Sequence, residues 1–182
     1  MKTRPSSKIV NKADIIRELS KTYQGVDHFI SELSQEDFVM EKNSKWSPMH
    51  HLQHLILSSK KIPSVLNMSK LKLVLMGIAV TGSRSFETLK AYYLKALDEG
   101  EQAGPEYEPE IEGDWTKEEL LGNWRMIQHK FEKRIDKWSE KDLDTYLLPH
   151  PVLGKLTLRE MLFFTIFHTQ HHLQGMTGAK SK

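Results

Sequence analysis

The sequence predicts an all-α fold, a four-helix bundle of one domain spanning residues 1–182 with a long crossover between the second and third main helices. Apolar residues recur at three- and four-residue spacing in four long stretches, and no strand-like alternation of comparable strength competes with them. Three of those stretches open on a helix-capping signal. The connection at residues 98–114 carries eight acidic residues and no basic one around Gly100, Gly104, Pro105, Pro109 and Gly113, which reads as a solvated crossover loop.

The first helix covers about residues 14–33, where Ile15, Ile16, Leu19, Tyr23, Val26, Phe29, Ile30 and Leu33 form one amphipathic stripe. The second starts at Ser47 as N-cap. Pro48 takes the first helical position, where its missing N–H costs nothing, and Pro63 is expected to kink or end the helix. A shorter helix is expected over about residues 85–97, and the longest apolar run, residues 73–80, reads as buried core. The third main helix opens on the capping box Thr116-Lys117-Glu118-Glu119 and carries Leu120, Leu121, Trp124, Ile127, Phe131, Ile135 and Trp138 on its stripe. The fourth repeats the device with Thr157-Leu158-Arg159-Glu160. Its apolar residues run all round the helix, with Phe163 and Phe167 opposite the histidine-bearing side; such a helix is deeply buried or shared with a second subunit, and a homodimer is the expectation.

Composition removes several function classes. With 26 basic and 24 acidic side chains the charge balance predicts neither nucleic-acid nor membrane-surface binding. The absence of cysteine excludes disulfides, thiolate metal sites and a cysteine nucleophile, so any thiol chemistry must use a thiol brought by a substrate or cofactor. The N-terminal Met1–Lys8 segment has charge but no apolar region behind it, which predicts a cytoplasmic protein without a secretory signal. No apolar run approaches the roughly 20 residues needed to span a bilayer.

Histidine is the conspicuous residue, with nine copies. His168 and His172 stand four apart in the fourth helix, on one face about a turn from each other, and both fall in the apolar arc of Leu158, Met161, Leu162, Leu173 and Met176. That spacing can direct two imidazoles at one divalent cation. Two buried imidazoles need a cation or a polar network to satisfy them, and Gln128 or Thr165 could supply the network. A third ligand must come from elsewhere, and the best source is the second helix, where His50, His51 and His54 compete: His54 lies at the edge of the apolar arc and His50 further out. His50 and His51 read as surface or supporting residues. His28, His129 and His150 stand alone and have no claim to the site. His171 sits on the flank of the fourth helix.

These segments resemble a known family. Trp46-Ser47-Pro48 followed by His54-Leu55, and Pro151-Val152-Leu153-Gly154-Lys155-Leu156-Thr157 leading into His168 and His172, are similar to the DinB-like four-helix-bundle proteins, which include bacterial thiol-dependent transferases. The resemblance covers most of the chain in helix order. It implies a metal held by one histidine of the second helix and two of the fourth, at positions that match His54, His168 and His172 here. The chain departs from many relatives at Ile56-Leu57-Ser58, where an acidic residue is common in the family. The family name derives from DNA damage induction and implies no nucleic-acid binding.

Three neutral imidazoles leave the charge of a divalent cation uncompensated and a coordination position open to an anionic ligand. Imidazole donors suit zinc, nickel, copper and iron, and zinc or nickel is the expectation. A low-molecular-weight thiol in that position becomes a thiolate near neutral pH, able to attack an electrophilic carbon, and the resemblance implies bacillithiol, mycothiol or a related thiol. The expected function is therefore a metal-dependent thiol S-transferase acting on an electrophilic small molecule. A metal-binding interaction protein without turnover and a metal-dependent hydrolase are the alternatives.

Overall fold

The computed structural model describes residues 8–41, 45–110 and 115–178. Residues 1–7 of the N-terminal segment and residues 111–114 at the end of the acidic crossover lie outside them. The helices are α1 (Lys12–Glu32), α2 (Gln35–Val39), α3 (Pro48–Ser59), α4 (Ile62–Val65), α5 (Lys70–Met76), α6 (Phe86–Asp98), α7 (Lys117–Ile135), α8 (Glu140–Thr145) and α9 (Leu158–Thr177), with a two-stranded hairpin, β1 (Leu147–His150) and β2 (Gly154–Thr157), before α9. The four long members α1, α3, α7 and α9 form the bundle, in which α1 and α3 are each flanked by α7 and α9. Among the described residues no helix is long and apolar enough to cross a membrane.

The expected caps form where the residue chemistry places them. Ser47, Thr116 and Thr157 each accept from the backbone N–H three residues on, and all three close as capping boxes with His50, Glu119 and Glu160. Pro48 occupies the first turn of α3, which ends at Ser59; Pro63 follows in the separate single turn of α4. In the core, Tyr23 of α1 stacks on Trp124 of α7 with ring centroids 4.1 Å apart, and the Trp124 indole donates to the Tyr23 carbonyl at 3.2 Å. Leu52 and Leu55 of α3 and Ile15, Val26 and Ile30 of α1 are fully buried against this pair's layer.

The all-round apolar character of α9 has an intramolecular cause. Phe86 of α6 meets Phe163 edge-on at 5.7 Å, and Tyr93 of α6 meets Phe164 at 5.1 Å and Phe167 at 6.0 Å, so α6 covers the face opposite α1. Arg159, buried in the first turn of α9, donates to the carboxylates of Asp144 and Glu140 and to the Glu140 carbonyl, tying the helix to α8.

One expectation is corrected. The apolar run at residues 73–80 is not core: only Leu73 is buried, while Leu75 is 84% exposed and Val80 wholly exposed. The run is too short a helix to bury more than one face, and it breaks at Gly77, whose φ of +140° no branched side chain accepts readily. The hairpin is an element that helical periodicity does not reveal. It pairs Leu147 with Thr157 and His150 with Gly154, and residues 77–79 extend it through Leu147 N–H to the Gly77 carbonyl and Ala79 N–H to the Thr145 carbonyl.

Candidate metal centre

Three histidines from two facing helices converge. His54 of α3 and His168 of α9 bring their Nε2 atoms to 3.1 Å, and His168 and His172 of α9 bring theirs to the same distance. One ligand atom from each lies within 4.8 Å of the other two. The i, i+4 spacing puts the α9 pair on one face, and the α3–α9 packing supplies the third ring. Two nitrogens held about 2.0–2.1 Å from one ion stand roughly 2.9 Å apart at a right angle and roughly 3.4 Å apart at the tetrahedral angle, a range that brackets the observed separation. The group can hold a divalent cation.

The hydrogen bonds at the outer ring nitrogens agree with that capacity. His54 Nδ1 lies 2.7 Å from the Tyr107 carbonyl, which can only accept, so the proton sits on Nδ1 and the Nε2 lone pair faces the other imidazoles. His172 Nδ1 lies 2.8 Å from His51 Nδ1. His168 and His172 are buried, and burial, reinforced by the neighbouring imidazoles, holds both well below the ordinary histidine pKa. His54 is lowered by burial as well, against the opposing bond to Tyr107. The rings are therefore neutral at pH 7, the form in which imidazole binds a metal.

The remaining sequence candidates separate cleanly. His51 stands behind His172, and burial together with the charges of His54, His171 and His50 pushes it down to about 4. His50 serves its own helix: its Nδ1 lies 3.2 Å from the Ser47 hydroxyl, inside the capping box. His171 is exposed at the cavity edge. The network considered for Gln128 and Thr165 does not form, since Gln128 donates to Glu132 and Thr165 to the Met161 carbonyl of its own helix. His150 was given no part by its sequence position, yet it lines the same cavity as the three converging rings. Trp46 is a further addition: its ring stacks on His172 at 6.1 Å and stands 5.2 Å from His54. Its place beside Ser47-Pro48 was the available signal.

A cavity of about 590 Å³ opens over the group. Ile62, Val65, Leu97, Met161 and Phe164 make its walls apolar, and Lys61, Tyr107 and Glu108 stand among its polar lining, with the Lys61 ammonium 5.5 Å from the Tyr107 ring centre. The acidic crossover is thus more than a solvated connection, because a 3-10 turn within it, Pro105–Tyr107, supplies the carbonyl that orients His54.

An all-α bundle with a polyhistidine centre at the floor of an apolar cavity defines a class of candidate metalloproteins. The chain belongs to the DinB superfamily, whose family model matches residues 18–176. Its fold is similar to that of YfiT from Bacillus subtilis, described as a probable metal-dependent hydrolase with an unusual four-helix bundle topology. That match has a TM-score of 0.63 at 13% sequence identity and covers 98% of this chain and 90% of that one. Comparison with curated proteins gives no match.

Proposed function

We propose that this protein is a divalent-metal-dependent transferase in which His54, His168 and His172 hold zinc or nickel, and in which a low-molecular-weight thiol attacks an electrophilic small molecule in the adjoining cavity. One observation carries the reading: three neutral imidazoles turn their Nε2 atoms to one point at the floor of an apolar cavity of about 590 Å³. A divalent cation bound there supplies Lewis-acid activation, lowering the pKa of a thiol or water placed beside it. The chain's part is to keep the lone pairs of His54 and His172 aimed, through Tyr107 and His51, and to hold an apolar acceptor against Ile62, Val65 and Met161 away from bulk water. In the transfer a sulfur–carbon bond forms, the bond from that carbon to its leaving group breaks with the electron pair going to the leaving group, and the thiol proton passes to solvent.

The described lining residues include one carboxylate, Glu108, which is exposed on the crossover rather than buried beside the histidines. Hydrolysis gains from such a general base, whereas a thiol needs none once its pKa is lowered, and this favours the thiol reading. The description of YfiT favours a second reading, a metal-dependent hydrolase, with Glu108 as its base. Zinc- and nickel-loaded protein assayed with cysteine, glutathione and bacillithiol against 1-chloro-2,4-dinitrobenzene, and with nitrophenyl esters lacking thiol, separates the two. The transferase consumes thiol with release of chloride and loses this on His168→Ala. Ester cleavage indifferent to thiol moves the hydrolase to first place, and metal uptake with no turnover in either assay leaves a metal-binding interaction protein. The proposal includes a cytoplasmic homodimer. Because α6 covers the second face of α9, two chains per particle in sedimentation velocity would require another surface.

A further inference from the structure

His150, in β1, is outside the converging trio and has a different chemistry. Its ring is 7% exposed and meets Phe164 edge-on at 4.2 Å; Phe164 in turn stacks on His168 at 4.9 Å. Nδ1 accepts two main-chain bonds in the hairpin turn, from Val152 N–H at 3.2 Å and Leu153 N–H at 3.1 Å. A ring nitrogen that accepts twice carries no proton, so the neutral imidazole has its hydrogen on Nε2. That N–H has no protein acceptor among the described residues. It is also not sealed in the core, as the partnerless His50 Nε2 is, and its side chain lines the cavity. A donor so placed calls for an acceptor from a bound molecule. Burial lowers the ring to about 4, so it remains a neutral donor through the physiological range.

We propose that His150 is the second polar anchor of the cavity, donating from Nε2 to a carbonyl or carboxylate oxygen of an otherwise apolar ligand. The hairpin turn holds the ring in one tautomer and Phe164 holds it in one orientation, so the bond is preorganised. The ligand class follows from the walls: an acyl compound of modest size, its hydrocarbon part on Ile62, Val65 and Leu97 and its oxygen at His150. The inference rests on the reading of this cavity as the substrate site.

His150→Asn is the informative variant, because an asparagine Oδ1 takes the position of Nδ1 and still accepts the turn's two N–H groups while the distal donor is gone. His150→Gln places an amide N–H near the lost Nε2. Hexanoate is titrated calorimetrically into wild-type and variant protein, zinc-loaded and zinc-free, with hexylammonium as the control lacking an acceptor. The expected result is hexanoate binding weakened about five- to tenfold in His150→Asn and partly restored in His150→Gln, with zinc affinity unchanged in both. Nitrogen-15 NMR of labelled histidine is expected to show His150 as the Nε2–H tautomer and to move that resonance on adding hexanoate. Equal hexanoate affinity in folded wild type and His150→Asn overturns the proposal, as does an Nδ1–H tautomer or no hexanoate binding by the wild type in either form. Failure of the wild type to take up zinc overturns the metal reading alone, and the zinc-free titration then decides His150 by the same comparison.

Discussion

His51 and His172 face each other through their Nδ1 atoms at 2.8 Å, a contact that only one proton can occupy. With His172 Nε2 turned toward His168 and His54, its lone pair belongs to the trio, so the His172 proton is on Nδ1 and His51 is the acceptor. Gly175 makes room for that partner: a Cβ there would stand 3.0 Å from His51 Cε1 and 3.3 Å from its Nε2. His51→Phe and Gly175→Ala should each weaken zinc binding by about ten- to a hundredfold without abolishing it, whereas the His168→Ala/His172→Ala double variant should lose the metal altogether. Elemental analysis of untagged protein and competition with a chromophoric chelator measure both. Wild-type affinity in His51→Phe would mean that the contact orients nothing.

The buried imidazoles make metal-free stability depend on pH. His51 and His150 are pushed down to about 4, and His54, His168 and His172 are lowered in the same direction, all chiefly by burial. Below the unfolded histidine pKa, about 6.5, the unfolded chain binds more protons than the folded one. The contribution of these rings is therefore present above that value and is lost progressively as pH falls toward about 4. Thermal melts of metal-free protein at fixed ionic strength should show a falling Tm from pH 7 to pH 5, and a saturating metal should raise Tm across that range while leaving the decline in place, because metal-held rings take up no proton in the folded state.

Arg159 anchors α9 from its first turn. Burial alone would raise Asp144, but bonds from Arg159 and Ser83 and the guanidinium charge outweigh it and hold the carboxyl below the usual aspartate range. Stability from this pair is present above the unfolded aspartate pKa, about 3.9, and is lost as pH falls through the lower folded value. Arg159→Leu should cost about 1–3 kcal/mol at neutral pH, since Asp144 and Glu140 keep partial access to solvent and lose less than sealed carboxylates would. Urea unfolding at pH 7 and pH 3.5 checks it, with the variant's deficit expected to shrink at the lower pH.

Trp46 offers an optical readout. It is the tryptophan stacked on His172, whereas Trp124 and Trp138 are buried with their indoles bonded to the Tyr23 and Leu66 carbonyls. An open-shell ion such as nickel quenches an indole that lies close to it, so nickel should dim the emission of wild-type protein. Trp46→Phe should lose most of that change with little effect on nickel affinity. Quenching that survives in Trp46→Phe would place the metal elsewhere.

The long helices were legible because their signals are local. Ser47-Pro48, Thr116 with Glu119, and Thr157 with Glu160 each act within one turn, and all three caps form. The His168 and His172 pair was legible for the same reason. Choosing among His50, His51 and His54 needs the rotation of α3 within the bundle, which local spacing does not encode; the family resemblance singled out His54, and the structure brings that ring to the pair. The hairpin escaped notice because its strands are four residues each, too short for alternation to stand out, and the residues 77–79 that extend it lie far away in sequence. His150 escaped with it. Residues 73–80 misled in the other direction, since hydrophobicity alone does not say whether a short helix has anything to lie against.

The carbonyl that fixes the His54 proton belongs to the main chain of Tyr107. Any amino acid at that position presents the same oxygen, so substitutions along the crossover can reshape the cavity entrance while the His54 tautomer is inherited unchanged. The His54 tautomer and the cavity entrance are thereby assigned to separable parts of the polypeptide, and the loop can diversify in sequence without retuning the histidines beneath it.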